Sequence, residues 1–177
     1  MSHLGGAFNP DPILFVPDIW EALIAEYKIN SVLDVGCGYG HAVRWFIDRG
    51  LYATGVEGDA NTILKHVAPF GTIIPHDYTT GGVALSRRFD LCWCCEFVEH
   101  VEAQHENNFI SSFCFCDHLA LTHATPGQGG FHHVNEQPSE YWIKRLRAHF
   151  DYDEDATMRY RRPAQYGVNN LLIFHRK

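Results

Sequence analysis

Apolar and polar positions follow two alternating rhythms along the chain. Short, nearly continuous apolar runs recur at 31–35 (SVLDV), 52–57 (YATGVE), 71–75 (GTIIP), 89–94 (FDLCWC) and 118–123 (HLALTH). Each reads as a strand buried on both faces. Stretches with helical spacing lie between them. Ile19, Leu23 and Tyr27 recur on one helical face ahead of the first strand. Residues 41–50 read as a helix closed by Gly50. Residues 60–67, most of 99–116, and 139–150 read as further helices, the last started by Pro138. Strands alternating with helices predict βαβ units and an α/β fold around a mostly parallel sheet. Residues 155–160 and 169–175 read as a terminal hairpin whose pairing the pattern leaves open. No repeat, low-complexity tract or linker interrupts the pattern. At 177 residues, the chain reads as one domain spanning 1–177.

Composition narrows the possibilities. No apolar run approaches the ~18 residues of a membrane span. The first residues, MSHLGGAFNPDP, lack a basic patch followed by an apolar stretch, so no signal peptide is read and a cytoplasmic location is the expectation. The net charge of −7 argues against a protein that grips nucleic-acid backbones. Arg159, Arg161 and Arg162 form a local basic patch, read as a solvated strand end in preference to an anion site. Cys92, Cys94 and Cys95 lie inside an apolar run and read as small hydrophobes. Cys114 and Cys116 read as the end of an apolar helix or the turn after it. Their C-x-C spacing does not match the C-x₂-C of zinc sites.

The most informative stretch is VLDVGCGYG, residues 32–40. A strand ends at Val35, and Gly36, Gly38 and Gly40 form a turn into a helix. Glycines there permit positive φ and let a ligand approach the backbone, and the helix start offers unpaired N–H groups. The spacing is G-x-G-x-G, not the G-x-G-x-x-G of dinucleotide enzymes. Asp34 precedes the first glycine, where a carboxylate would oppose a pyrophosphate and suit a cation. Glu57 ends the second strand, near the offset at which an acid accepts hydrogen bonds from ribose hydroxyls.

Together these residues resemble the class I S-adenosylmethionine-dependent methyltransferases. VLDVGCGYG looks like their first motif, and VEGD like their acidic second loop. FDLCWCCEFVEHV is similar to their fourth-strand motif, with an acid followed by a glutamate–histidine pair. Downstream, THATPGQGGFHHVNEQPSEYWIKRL and the Asn-Leu-Leu at 170–172 resemble a narrower bacterial and phage subgroup. The resemblance implies a Rossmann-like three-layer sandwich with a seven-stranded, mostly parallel sheet whose last strand is antiparallel. It implies S-adenosylmethionine as cofactor, S-adenosylhomocysteine as product, and in-line methyl transfer. It places Asp34, Gly36, Gly38, Gly40, Glu57, Asp77 and Glu96 at cofactor positions. Glu57 stands where many relatives carry Asp, which lengthens the arm without changing its role.

Asp77, in His76-Asp77-Tyr78 after the third strand, reads equally as an acceptor for the adenine amino group with Tyr78 beside the ring, and as the turn-forming Asp before TTGG. Candidate bases are His100, His123, His132 and His133, near predicted strand ends and in the polar glycine-rich loop PGQGGFHHVNEQP; His133 ranks first, and His100 reads in preference as a residue packing near the cofactor without acting as base. His132 reads as solvent-facing or accessory. Asn135 and Glu136 read either as acceptor-binding groups or as a cap for the following helix. A metal held by His123, His132, His133 and Glu136 is the competing explanation for the loop, but no H-x-x-x-H spacing supports it, and no metal is expected. The segment SHLGGAFNP reads as a lid over the cofactor or a loose terminus.

The expected partner is a small molecule or a glycan, methylated on oxygen or nitrogen. The rival readings are a non-catalytic cofactor-binding module, an NAD-dependent oxidoreductase, and a nucleic-acid methyltransferase. Asp34 and the missing glycine position disfavour the second. The last lacks its Asn/Asp-Pro-Pro-Tyr motif, the chain reading CEFV after strand four.

Overall fold

The computed structural model of the chain describes residue 4 and residues 14–177. In chain order these form α1 (Pro17–Tyr27), β1 (Ser31–Val35), α2 (His41–Asp48), β2 (Tyr52–Glu57), α3 (Ala60–Ile63), β3 (Ile73–Pro75), β4 (Phe89–Cys94), α4 (Glu106–Phe113), β5 (Cys116–Leu121), α5 (Ser139–Leu146), β6 (Phe150–Tyr152), α6 (Glu154–Tyr160) and β7 (Leu172–Arg176). The strands build one seven-stranded sheet in the order β3-β2-β1-β4-β5-β7-β6. Strands β1 to β5 pair in parallel, and β7 runs antiparallel to both its neighbours. The expected α/β sandwich, with its antiparallel last strand, is the fold observed.

Strand periodicity explains the three layers. Side chains alternate across the sheet, so each strand feeds two cores. Val32, Leu91, Trp93 and Ile173 join α1, α2 and α6 on one face through Trp20, Phe46 and Tyr160. Leu33, Val35, Cys92, Cys94, Leu172 and Phe174 join α4 and α5 on the other through Phe109, Phe113 and Trp142. All five β1 residues are buried, as expected for a strand covered on both faces. The connections run outward in opposite directions from β1 and β4, so the crevice for a ligand opens at the carboxyl ends of these two adjacent strands.

Several elements depart from the sequence reading. Residues 155–160 form α6, not a strand. Asp153 caps it by accepting the Ala156 N–H at 2.8 Å, and Ala156, Thr157 and Tyr160 give it a buried face. The strand pair near the terminus is instead β6 with β7, and the 139–150 helix stops at Leu146 to free Phe150 for β6. The stretch 99–116 is not one helix. A 3₁₀ turn at Val98–His100 and another at Ala103–His105 precede α4, and β5 begins already at Cys116. A helix cannot run through Glu99 because its carbonyl accepts the N–H groups of Val134 and Asn135, at 2.9 and 3.0 Å. The arginine patch is bound internally. Arg159 meets Glu26 of α1 at 2.5 Å, Arg162 meets Asp18 at 3.5 Å, and Arg161 donates to the Leu171 carbonyl at 3.2 Å. No helix among the described residues is long and apolar enough to cross a membrane.

Candidate active site

The glycine loop after β1 is tethered to β2, since Gly36 and Cys37 both donate their N–H to the Val56 carbonyl, at 3.0 and 3.1 Å. Gly36 must be glycine for two reasons. Its φ is +76°, and a Cβ there would lie 2.3 Å from Cδ2 of Phe97, the residue that follows Glu96. Gly38 and Gly40 also have positive φ, and Gly40 is the left-handed N-cap from which α2 departs.

Glu57, at the end of β2, holds this loop against the next turn. One carboxylate oxygen accepts the Gly38 N–H at 2.9 Å, and the other accepts those of Gly58 and Asp59 at 2.9 and 2.8 Å. An ionised carboxylate offers about four acceptor positions, so three backbone bonds leave capacity for a ligand hydroxyl. Burial pushes the Glu57 carboxyl up, and these N–H groups pull it partly back. Asp34, 4% exposed in β1, has no such donors among the described residues. Burial, with the nearby Glu57 charge adding, pushes its carboxyl up to about 8.

Asp77 takes the turn-forming role. It caps the short turn at 78–80, one oxygen accepting both the N–H and the hydroxyl of Thr79 at 2.8 Å, and it also lines the cleft. Tyr78 is less available than the sequence suggested. It is 4% exposed, its hydroxyl pairs with Ser112 at 2.9 Å, and its ring meets Phe97 and Phe109 edge-on. Glu96 lines the cleft with a backbone φ of +47°. It accepts the Thr122 hydroxyl at 2.9 Å and the Gln128 amide at 3.3 Å.

Three of the candidate histidines separate. His123 is fully buried and off the cleft. Its Nε2 pairs with the Ser139 hydroxyl at 3.0 Å and its Nδ1 with the Ala124 carbonyl at 3.2 Å. The candidate base His123 thus lies off the cleft lining, with a partner at each ring nitrogen. His100 and His133 do reach the cleft, with ring centroids 5.0 Å apart. His100 Nδ1 faces the His132 carbonyl at 3.3 Å, and burial, reinforced by the neighbouring His133, lowers its pKa to about 4. His133 Nδ1 faces the Glu136 carboxylate at 3.0 Å. A carbonyl can only accept, and so can an ionised carboxylate, so each Nδ1 carries a hydrogen, and in the neutral ring Nε2 is the nitrogen with the lone pair. Gly130 makes room for this: a Cβ there would lie 2.3 Å from His133 Nε2.

Two acids position that loop from behind. Glu136 accepts the Gly127 and Gly129 N–H groups, each at 2.7 Å, as well as His133. Asn135 is buried and donates to Glu106 at 3.0 Å, where Tyr141 and Arg145 also arrive at 2.8 and 2.7 Å. Neither Asn135 nor Glu136 caps α5, whose N-cap is Pro138. Both shape the loop instead. Glu106 was not singled out from the sequence, since a Glu in the first turn of a helix reads as surface. Glu99 was named only as part of a motif, yet it is wholly buried on the cleft wall with no hydrogen-bond partner of good geometry for either oxygen.

The cleft these groups enclose has a volume of about 610 Å³. Its described lining includes Asp34, Glu57, Asp77, Glu96 and Glu99, and contains no Lys or Arg. Phe15, Trp20 and Trp93 supply apolar wall. Leu4 reaches the cleft beside Gly58; the rest of the expected lid segment lies outside the described residues. Among the described residues, one group of side chains could hold a metal: Glu99, His100 and His133, whose ligand atoms lie within 4.8 Å of one another. His123, His132 and Glu136, the other members of the rival metal set, are not in it.

Residues 33–110 match a family model described as a methyltransferase domain. An uncharacterized methyltransferase from Mycolicibacterium gilvum (strain PYR-GCK) is 32% identical over 108 residues, which is 54% of this chain. The match spans only 39% of that relative's length. Among solved structures, S-adenosylmethionine-bound CalS10, an amino pentose methyltransferase from Micromonospora echinaspora involved in calicheamicin biosynthesis, superposes with a TM-score of 0.69 at 14% identity, covering 91% of this chain and 89% of that one. DesVI from Streptomyces venezuelae gives 0.66 at 13% identity, covering 90% and 89%. The glycopeptide N-methyltransferase MtfA, complexed with sinefungin, gives 0.62 at 15% identity, covering 97% and 95%. At such identities the likeness is one of fold.

Proposed function

We propose that the chain is an S-adenosylmethionine-dependent methyltransferase acting on oxygen or nitrogen of a small-molecule or glycan acceptor, with S-adenosylhomocysteine as product. The observation that carries this reading is the acidic character of the cleft, where five acidic side chains and no Lys or Arg line the described wall. A dinucleotide brings phosphates that such a wall repels. A ligand with a sulfonium and an ammonium group is attracted to it. The matched family model and the fold of its structural relatives agree with this reading.

The residues fit the cofactor. Glu57, with acceptor capacity left on a carboxylate already fixed by three N–H groups, would hold ribose hydroxyls. Asp34 and the Gly36–Gly40 turn would meet the cationic end, and Asp77 the base end. Bound there, S-adenosylmethionine would supply a methyl group on a positively charged sulfur that leaves as a neutral thioether. Proximity and alignment then account for much of the rate. His100 and His133 line the opposite wall, where in the neutral ring Nε2 of either would accept the proton of the acceptor. Relatives that act on an amino sugar and a glycopeptide support an acceptor of that class. The acidic wall disfavours nucleic acid.

Transfer of labelled methyl from S-adenosylmethionine to a panel of sugars, glycopeptides and small hydroxyl or amino compounds tests the proposal. Labelled product from one class supports it. Tight cofactor binding with no product across the panel would instead favour a non-catalytic binding module. His133→Ala is expected to lower turnover about 100-fold or more while cofactor affinity stays within about threefold. An equal loss of both would argue against its placement at the acceptor.

Asp34 predicts a pH effect. In the ligand-free protein its carboxyl keeps its proton up to about pH 8, whereas a cation beside it favours the ionised form. Binding therefore releases a proton below that pH. Affinity should rise by up to about tenfold per unit between pH 6 and 8 and then level off. Calorimetry in two buffers of different ionisation enthalpy reads the released proton directly, and Asp34→Asn should remove it. For the free protein the sign is opposite. A carboxyl whose folded pKa is raised is less proton-bound when unfolded, so its contribution to stability declines from about pH 4 to 8.

A further inference from the structure

On the wall away from the glycine loop, Glu99, His100 and His133 converge with ligand atoms within 4.8 Å of one another. Three features make this more than an acidic corner. First, Glu99 is wholly buried, and neither carboxylate oxygen finds a hydrogen-bond partner of good geometry; only its own N–H and that of Ala124 lie near enough to ease its charge. A buried carboxyl left this way either keeps its proton or needs something positive beside it. Second, both imidazoles are held by Nδ1, His100 on the His132 carbonyl at 3.3 Å and His133 on the Glu136 carboxylate at 3.0 Å. Metal-binding histidines are typically oriented in this way, the distal nitrogen on a carbonyl or carboxylate and the near one presented as a ligand. Third, Glu136 is itself fixed by Gly127 and Gly129, so the second support is rigid.

We propose that Glu99, His100 and His133 bind one divalent transition-metal ion at the acceptor end of the cleft. Two imidazoles and one carboxylate suit manganese, iron, cobalt or zinc and leave positions open toward the cleft. Metal–ligand bonds of about 2.0–2.2 Å place ligand atoms about 3 Å apart, so the three side chains close by about 1–2 Å around the ion. The role of the ion rests on the methyltransferase reading; its binding does not. In that role the ion takes the oxygen of an acceptor hydroxyl and lowers its pKa. The proton leaves to solvent buffer, the oxygen's electron pair forms the bond to the methyl carbon, and the pair of the breaking carbon–sulfur bond stays on sulfur. Hydroxyl acceptors are then the class served, and His133 acts as a ligand.

The test uses the full chain, stripped with a chelator and titrated with cobalt chloride, read by visible absorption and calorimetry. One equivalent should bind, with ligand-field bands of a nitrogen- and oxygen-ligated ion. His100→Ala, His133→Ala and Glu99→Gln should each weaken binding about 10- to 100-fold or more, since loss of supporting partners alone costs about that much. Circular dichroism and calorimetry with S-adenosylmethionine check that each variant is folded. If Glu99→Gln does not fold, the two histidine variants carry the test. Absence of cobalt binding by the unmodified chain, or binding unchanged in the folded variants, overturns the site. Cobalt binding without S-adenosylmethionine binding would sink the methyltransferase reading and leave the ion site standing; the reverse pattern would sink the ion site alone.

Discussion

Glu57→Ala is expected to weaken S-adenosylmethionine binding by about 100- to 1000-fold, measured by calorimetry, while the protein stays folded. The carboxylate holds the N–H groups of Gly38, Gly58 and Asp59 and so sets the distance between the two turns that frame the proposed cofactor site. Hydrogen bonds to a charged group contribute about 1.5–3 kcal/mol each. Losing a ribose contact and loosening two turns together come to about 3–4 kcal/mol, and each 1.4 kcal/mol is tenfold in affinity. Glu57→Gln should fall between the two. Its amide keeps one acceptor oxygen but turns an NH₂ toward a backbone N–H that needs an acceptor. Alanine binding as tightly as the parent would remove Glu57 from the cofactor site.

The second large effect is on stability. Glu106→Ala should destabilise the fold by about 3 kcal/mol, the scale of breaking a buried ion pair from one side. For a chain of this size that lowers Tm by about 6–12 °C. Glu106 is 2% exposed and collects Asn135, Tyr141 and Arg145 in one place. Removing it leaves the Asn135 amide and the Tyr141 hydroxyl without their acceptor, and Arg145 without its counter-charge. Because Asn135 lies two residues beyond His133, the acceptor wall should shift as well, so turnover falls even where the variant is still folded. Thermal denaturation of parent and variant measures the first effect. A shift under 2 °C (less than about 1 kcal/mol on the same scale) would show that the cluster is solvated and replaceable.

The placement of the residues proposed for the cofactor was legible because its signals are local. Asp34, the three glycines and Glu57 each lie at or just beyond a strand end, where the chain's own spacing fixes their place in a parallel sheet. The acceptor half was not, because long-range packing decides it. His123 and His133 flank the same loop, and composition does not separate them; Ser139 on α5 draws the first inside, and Glu136 draws the second to the cleft. The stretch after β4 reads as helical by its apolar spacing, yet the loop near residue 134 takes the Glu99 carbonyl and stops the helix there. That same stop leaves Glu99 and His100 on the cleft wall. At the terminus, DATMRY suits strand or helix about equally, and Asp153 decides for the helix by capping it. Asp77 and Tyr78 sit at the cleft, but the turn and the core use their polar groups, which the local sequence does not reveal.

The central claim is that an acidic cleft at the ends of β1, β2 and β4 takes a cationic nucleoside and not a dinucleotide. Calorimetric titration of the purified chain with S-adenosylmethionine, with NAD as the contrasting ligand, tests it most directly. The account predicts one S-adenosylmethionine bound per chain, proton release below pH 8, and no heat with NAD. Binding of NAD, or no binding of S-adenosylmethionine at millimolar concentration, would contradict it.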